Sequence, residues 1–116
     1  MSILEETVSI FLKRNKIDFI QQKRFDFIGR KSLDFYLPKY KVAIECQGVQ
    51  HYKDIPFFKS KNQYSRDLNK FKECLTNGIK ILYYTDYVNK KIIPQKLKKN
   101  TFFNLREILK VIKDGL

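Results

Sequence analysis

The chain has 116 residues, of which 24 are Lys or Arg and 12 are Asp or Glu, for a formal charge of +12. A hydrophobic content of 43% with 15% aromatic residues excludes a disordered chain, and the length suits one domain over residues 1–116 rather than two. The basic excess favours a polyanionic partner. Nucleic acid ranks ahead of a membrane, because no run reaches the length of a membrane span and no segment joins a clean basic face to a large apolar face with aromatic anchors.

Ser2-Ile3-Leu4-Glu5 has the form of a capping box, and Leu4, Val8, Phe11 and Leu12 follow as an apolar stripe, so the spacing predicts a helix to about Lys16. Lys13, Arg14 and Lys16 suit its C-terminus. Ile17 to Phe27 reads as an edge strand that Gly29-Arg30 turns into the next one. Period-2 alternation then appears twice. Leu33, Phe35 and Leu37 alternate with Ser32, Asp34 and Tyr36, and Val42, Ile44 and Cys46 alternate with Ala43, Glu45 and Gln47. A turn centred near Lys39 and Tyr40 sets Asp34 opposite Glu45 on one face, with Cβ atoms roughly 4.5–5.5 Å apart. Two carboxylates that close repel. They could be plain solvent-facing charges, but that arrangement costs stability, and a hard divalent cation with oxygen ligands is the usual neutraliser.

Lys53 to Asn62 holds Pro56 and two phenylalanines without a sustained period and reads as a loop with aromatic anchors. A helix is expected from Gln63 or Ser65 through Asn77, with Leu68, Phe71, Cys74 and Leu75 at helical spacing and Asn77-Gly78 as its stop. Ile79 to Thr85 reads as a strand buried on both faces, entering the sheet by a parallel crossover. After Pro94, Thr101 to Lys113 is expected as a last helix with Leu105, Ile108, Leu109 and Ile112 inward. The class is therefore α/β, an antiparallel meander plus a crossover strand flanked by helices. Cys46 and Cys74 fall on apolar faces, as in a reducing compartment, and with the lone His51 they make no zinc site. The first residues lack the basic region of a signal peptide, so a cytoplasmic location is expected.

Asp34, ten intervening residues, Glu45-Cys46-Gln47 and then Gly48-Val49-Gln50-His51 together resemble the PD-(D/E)xK nuclease core. The wider stretches DFYLPKYKVAIECQGVQHY and RDLNKFKECLTNGIKILYY resemble the branch related to very-short-patch-repair endonucleases and to the homing endonucleases described by an E, D, H, D constellation. The likeness covers about residues 2–87. It implies a restriction-endonuclease-like mixed sheet and a metal-dependent DNA endonuclease of homing, repair or restriction type. Asp34 and Glu45 would hold Mg²⁺ or Mn²⁺ at the scissile phosphate.

The constellation falls on Glu5, Asp34, His51 and Asp67. Glu6 is the neighbouring alternative to Glu5, and a capping box alone would explain Glu5. Imidazole titrates near neutrality, which suits His51 to general acid or base work. Asp67 could equally be a first-turn acid favoured by the helix dipole. Where the family usually has Lys two residues after the Glu, this chain has Gln47, whose neutral amide carries no positive charge. Lys70, one turn after Asp67, is expected to supply it.

Two other readings stand beside the enzyme. One is a catalytically inactive nucleic-acid-binding module with a nuclease fold, which Gln47 favours. The other is an RNA- or nucleoprotein-binding protein that stacks bases on Phe57, Phe58, Tyr83 and Tyr84. Reading a long DNA site would require a homodimer or a partner protein, since a single module buries only about 600–1,000 Å² on DNA.

Overall fold

Helix α1 (Ile3–Arg14) buries Val8, Ser9 and Leu12 along one side, as the apolar spacing predicts. Its end is a Schellman cap. Lys16 takes φ 56°, its N–H donates to the Lys13 carbonyl at 3.1 Å, and the Ile17 N–H donates to the Leu12 carbonyl at 3.0 Å. Leu12 and Ile17 then share one core cluster, the apolar contact that accompanies this cap. The structure, a computed structural model, describes residues 3–47, 57–85 and 99–114.

Strand β1 is confined to Ile20–Lys23, shorter than the expected strand from Ile17 to Phe27. Ile17 is taken up by the helix cap, and Asp26–Ile28 forms a 3-10 turn that buries Ile28. Phe25 and Phe27 thereby pack against the core instead of prolonging an edge. Strands β2 (Leu33–Leu37) and β3 (Val42–Cys46) pair antiparallel with Phe35 on Ile44, Tyr36 on Ala43 and Leu37 on Val42. This is the register that places Asp34 next to Glu45.

Helix α2 (Phe57–Thr76) crosses to β4 (Lys80–Tyr84), which runs parallel to β3. Among the described residues the sheet has five strands in the order β1-β2-β3-β4-β5, with β5 (Thr101–Phe102) parallel to β4 at the edge. Helix α3 (Leu105–Lys113) follows. The architecture is α/β with a mixed sheet. Helices α1 and α3 cover one face, where Val8, Leu12, Phe35, Ile44, Leu82 and Ile108 meet. On the other face Leu68, Phe71 and Cys74 of α2 pack with Ala43, Ile81 and Tyr83. β4 is thus buried on both sides, as its unbroken apolar run predicts.

The structure corrects three expectations. The stretch expected to be loop through Asn62 is already helical from Phe57, immediately after Pro56, a residue that fits just before or within a first helical turn. Its polar residues hid the helix from a periodicity test. Thr101 and Phe102 form β5 rather than the start of the last helix, because Asn104 caps α3 by accepting from the Arg106 N–H at 2.7 Å. Leu75, expected inward, is 53% exposed. Helix α2 does end at Asn77-Gly78, in a second Schellman cap with Gly78 at φ 81° and the Ile79 N–H on the Cys74 carbonyl at 2.8 Å. No helix among the described residues is long and apolar enough to cross a membrane.

Candidate active site

The β2–β3 ladder stops where the two acids begin, and their side chains take over its hydrogen bonding. The Asp34 N–H donates to Glu45 Oε2 at 2.8 Å, and the Cys46 N–H donates to Asp34 Oδ2 at 2.9 Å. Each carboxylate is therefore oriented by the backbone of the opposite strand. Charge-assisted bonds to N–H groups offset part of the repulsion that the sequence implies.

Glu45 lies on the α2 face of β3 and is 6% exposed, and Gln47 beyond it is 3% exposed. Burial, with a smaller push from Asp34, raises the Glu45 carboxyl to about 8 against the pull of Lys70. The Lys70 ammonium forms an ion pair with Glu45 Oε1 and donates to the Ser32 carbonyl at 2.7 Å. The Gln47 amide nitrogen donates to Asp67 Oδ2 at 3.2 Å, and the Gln47 N–H donates to the Tyr84 carbonyl at 2.9 Å. Asp67 is half-buried in the middle of α2. With the helix starting ten residues earlier, the first-turn dipole no longer accounts for it.

These groups converge on one cavity of about 230 Å³ at the carboxyl ends of β3 and β4, lined by Glu5, Asp34, Glu45, Cys46, Gln47, Asp67 and Lys70. The first turn of α1 contributes Glu5, which is half-buried while Glu6 is exposed; the cavity therefore selects Glu5 of the two. Six of the seven expected site residues are brought together. The seventh, His51, lies outside the described residues, as does Ser2 of the capping box. Burial, and then Asp34, push the Cys46 thiol far up, so it is a neutral wall of the cavity.

Two contributors were not expected from the sequence. Ser32 supplies the carbonyl that fixes Lys70. Gln22, at φ 51° in β1, accepts from the Ser32 hydroxyl at 2.8 Å and places its amide 3.5 Å from Asp34 Oδ1. Only its position on the strand paired with Asp34 could have pointed to it. Tyr83 is 2% exposed and stacks on Phe71 with centroids 6.4 Å apart, which removes it as a base-stacking platform. The side chains of Phe57 and Phe58 lie outside the described residues.

A hard divalent cation fits the donor set. Mg²⁺ takes one or two carboxylates and fills its remaining positions with water and substrate phosphate, and Asp34 and Glu45 present oriented oxygens beside a polar cavity. Among the described residues no group of three or more His, Cys, Asp and Glu side chains is placed to hold a metal ion together. No family model and no curated protein matches the chain.

Proposed function

We propose that the chain is a metal-dependent DNA endonuclease with the restriction-endonuclease-like fold of the PD-(D/E)xK superfamily, close to its very-short-patch-repair and E, D, H, D homing branches. The observation that carries this reading is the cross-braced Asp34–Glu45 pair set in one cavity with Lys70, Gln47, Asp67 and Glu5. A fold needs no like-charge pair with one member buried, whereas phosphodiester hydrolysis is served by oriented carboxylates beside a positive charge.

Asp34 and Glu45 would hold Mg²⁺ or Mn²⁺, which when bound polarises a phosphate and makes water more acidic. Lys70 neutralises charge that develops on the phosphate, the work done elsewhere in the superfamily by a lysine on the strand. It already points at Glu45 from the neighbouring helix. Gln47 is held by Asp67, which fixes the direction of its amide toward substrate. Glu5 closes the cavity from α1 and orients water or His51. His51 exchanges a proton with the attacking or leaving oxygen. The charge of +12 draws the polyanion in and makes its binding salt-dependent.

Conversion of supercoiled plasmid to nicked or linear forms with Mg²⁺ or Mn²⁺, and not with EDTA, tests the reading. No conversion by the wild-type protein, with DNA still bound, would instead establish the inactive DNA-binding module, which Gln47 favours.

A further inference from the structure

A second concavity, of about 730 Å³, opens at the other end of the parallel strands and is lined by Tyr40, Lys41, Phe71, Leu75, Lys80 and Lys99 together with Gly78 and Asn100. Lys80 pairs with Val42 at the start of β3, and Glu45 lies three residues further along that strand, roughly 10 Å away at the rise of a strand. Its volume falls in the range of small-molecule and cofactor pockets.

Two features set it apart from ordinary surface. Among the described residues three lysines line it and no acid does. Leu75 stands 53% exposed at its wall beside Phe71 and Tyr40, which pack partly against the core and stay half-buried at the cavity. Lys41 takes φ 53°, a conformation that favours Gly or Asn. The β2–β3 turn, with the Tyr40 N–H on the Leu37 carbonyl at 3.2 Å and the Lys41 N–H on the Pro38 carbonyl at 3.4 Å, sets that conformation, so a glycine there suits the same backbone.

We propose that this concavity binds an unpaired nucleotide of a DNA strand, its phosphates on Lys41, Lys80 and Lys99 and its base against Phe71, Tyr40 and Leu75. Cations along a backbone track with an aromatic and apolar platform for the base is the general chemistry of single-strand binding. Helix α2 joins the two places, since it carries Asp67 and Lys70 at the first cavity and Phe71 and Leu75 at the second. The inference goes beyond the nuclease reading and does not require cleavage.

The test is fluorescence anisotropy of the full chain in EDTA with a labelled hexathymidylate and, separately, a blunt duplex. Leu75→Glu and Lys41→Gly are the variants. The first replaces an exposed side chain, and the second relaxes the backbone, so its melting temperature is unchanged or raised. Each should weaken hexathymidylate binding by about ten-fold, the scale of losing a base platform or a phosphate contact. Lys41→Gly should also lower the salt slope by about 1, and duplex affinity should change less than about two-fold for the Leu75 variant. Unchanged hexathymidylate affinity in both variants, or equal losses on the duplex, overturns the proposal. Because the measurement contains no metal and reads no cleavage, its failure leaves the nuclease reading standing, and an inactive protein leaves this one standing.

Discussion

Lys70→Ala removes two contacts at once, the ion pair with Glu45 and the hydrogen bond to the Ser32 carbonyl. The side chains of the pair are 16% and 8% exposed, so the loss falls on a largely desolvated site. Hydrogen bonds to charged groups contribute about 1.5–3 kcal/mol, and stripping one partner from a buried pair costs about 3–5 kcal/mol. The upper range does not apply here, because burial already holds the Glu45 carboxyl at about 8 and the orphaned acid takes up a proton instead of staying charged. A destabilisation of about 2 kcal/mol is expected, or roughly 6–10 °C in melting temperature for a chain of this size. The sequence by itself suggests little change in stability, and the contact with Ser32 is what alters that expectation. Urea melts in EDTA of Lys70→Ala, Glu45→Gln and the double variant should give a coupling of about 1–2 kcal/mol. The plasmid-nicking rate should fall by about 10²–10³, the usual scale for one preorganised stabilising group. Additive stabilities together with an unchanged nicking rate would refute the placement of Lys70.

Asp34→Asn should abolish nicking while the melting temperature and DNA affinity stay near wild type, since the amide oxygen can still accept from the Cys46 N–H; wild-type nicking by this variant would remove Asp34 from the site. For Glu45 the folded state keeps a proton that the unfolded chain releases above about pH 4.5, so metal-free stability should decline as pH rises from about 4.5 to about 8 and then level off. Urea midpoints across that range should show the decline, Glu45→Gln should flatten it, and metal affinity by titration calorimetry should rise toward pH 8 as the competing proton is lost. Gln47→Lys should restore part of the nicking lost in Lys70→Ala, because Asp67 Oδ2, now 3.2 Å from the Gln47 amide, can accept from an ammonium; a double variant no faster than Lys70→Ala alone would place the missing charge elsewhere.

The hairpin was the most legible part of the sequence, because a period of two is unambiguous there and the Pro38 turn leaves little freedom in register. The pairing of Asp34 with Glu45 is thus readable from the sequence, and Asp67 and Lys70 follow from a helix with a clear stop at Gly78. The start of that helix was not legible. From Phe57 to Tyr64 the residues give no apolar stripe to detect, and the missing turns made Asp67 look like a first-turn acid. Strand β5 spans only Thr101–Phe102, too short for any period to reveal. Leu75 had the right spacing for the core and the wrong surroundings, since the helix ends one residue later and its last turn overhangs the second concavity. Gln22 and Ser32 act through tertiary pairing across strands, which local pattern does not encode.

The way the two acids are held bears on why they are there. A structural pair could persist if each carboxylate simply replaced a ladder carbonyl, and the bonds from the Asp34 and Cys46 N–H groups do serve that purpose. An Asn and a Gln would accept those two backbone bonds without repelling each other, though each would turn its amide nitrogen toward a donor, Gln22 or Lys70, that now meets a second carboxylate oxygen. The extra cost of two acids is visible in Glu45, whose carboxyl is pushed up to about 8 even with a lysine against it. The two acids stand with Lys70, Gln47, Asp67 and Glu5 around the same cavity. What the amides cannot do is supply hard anionic oxygens to a divalent cation. That difference is the physical support for the proposed metal site at this pair.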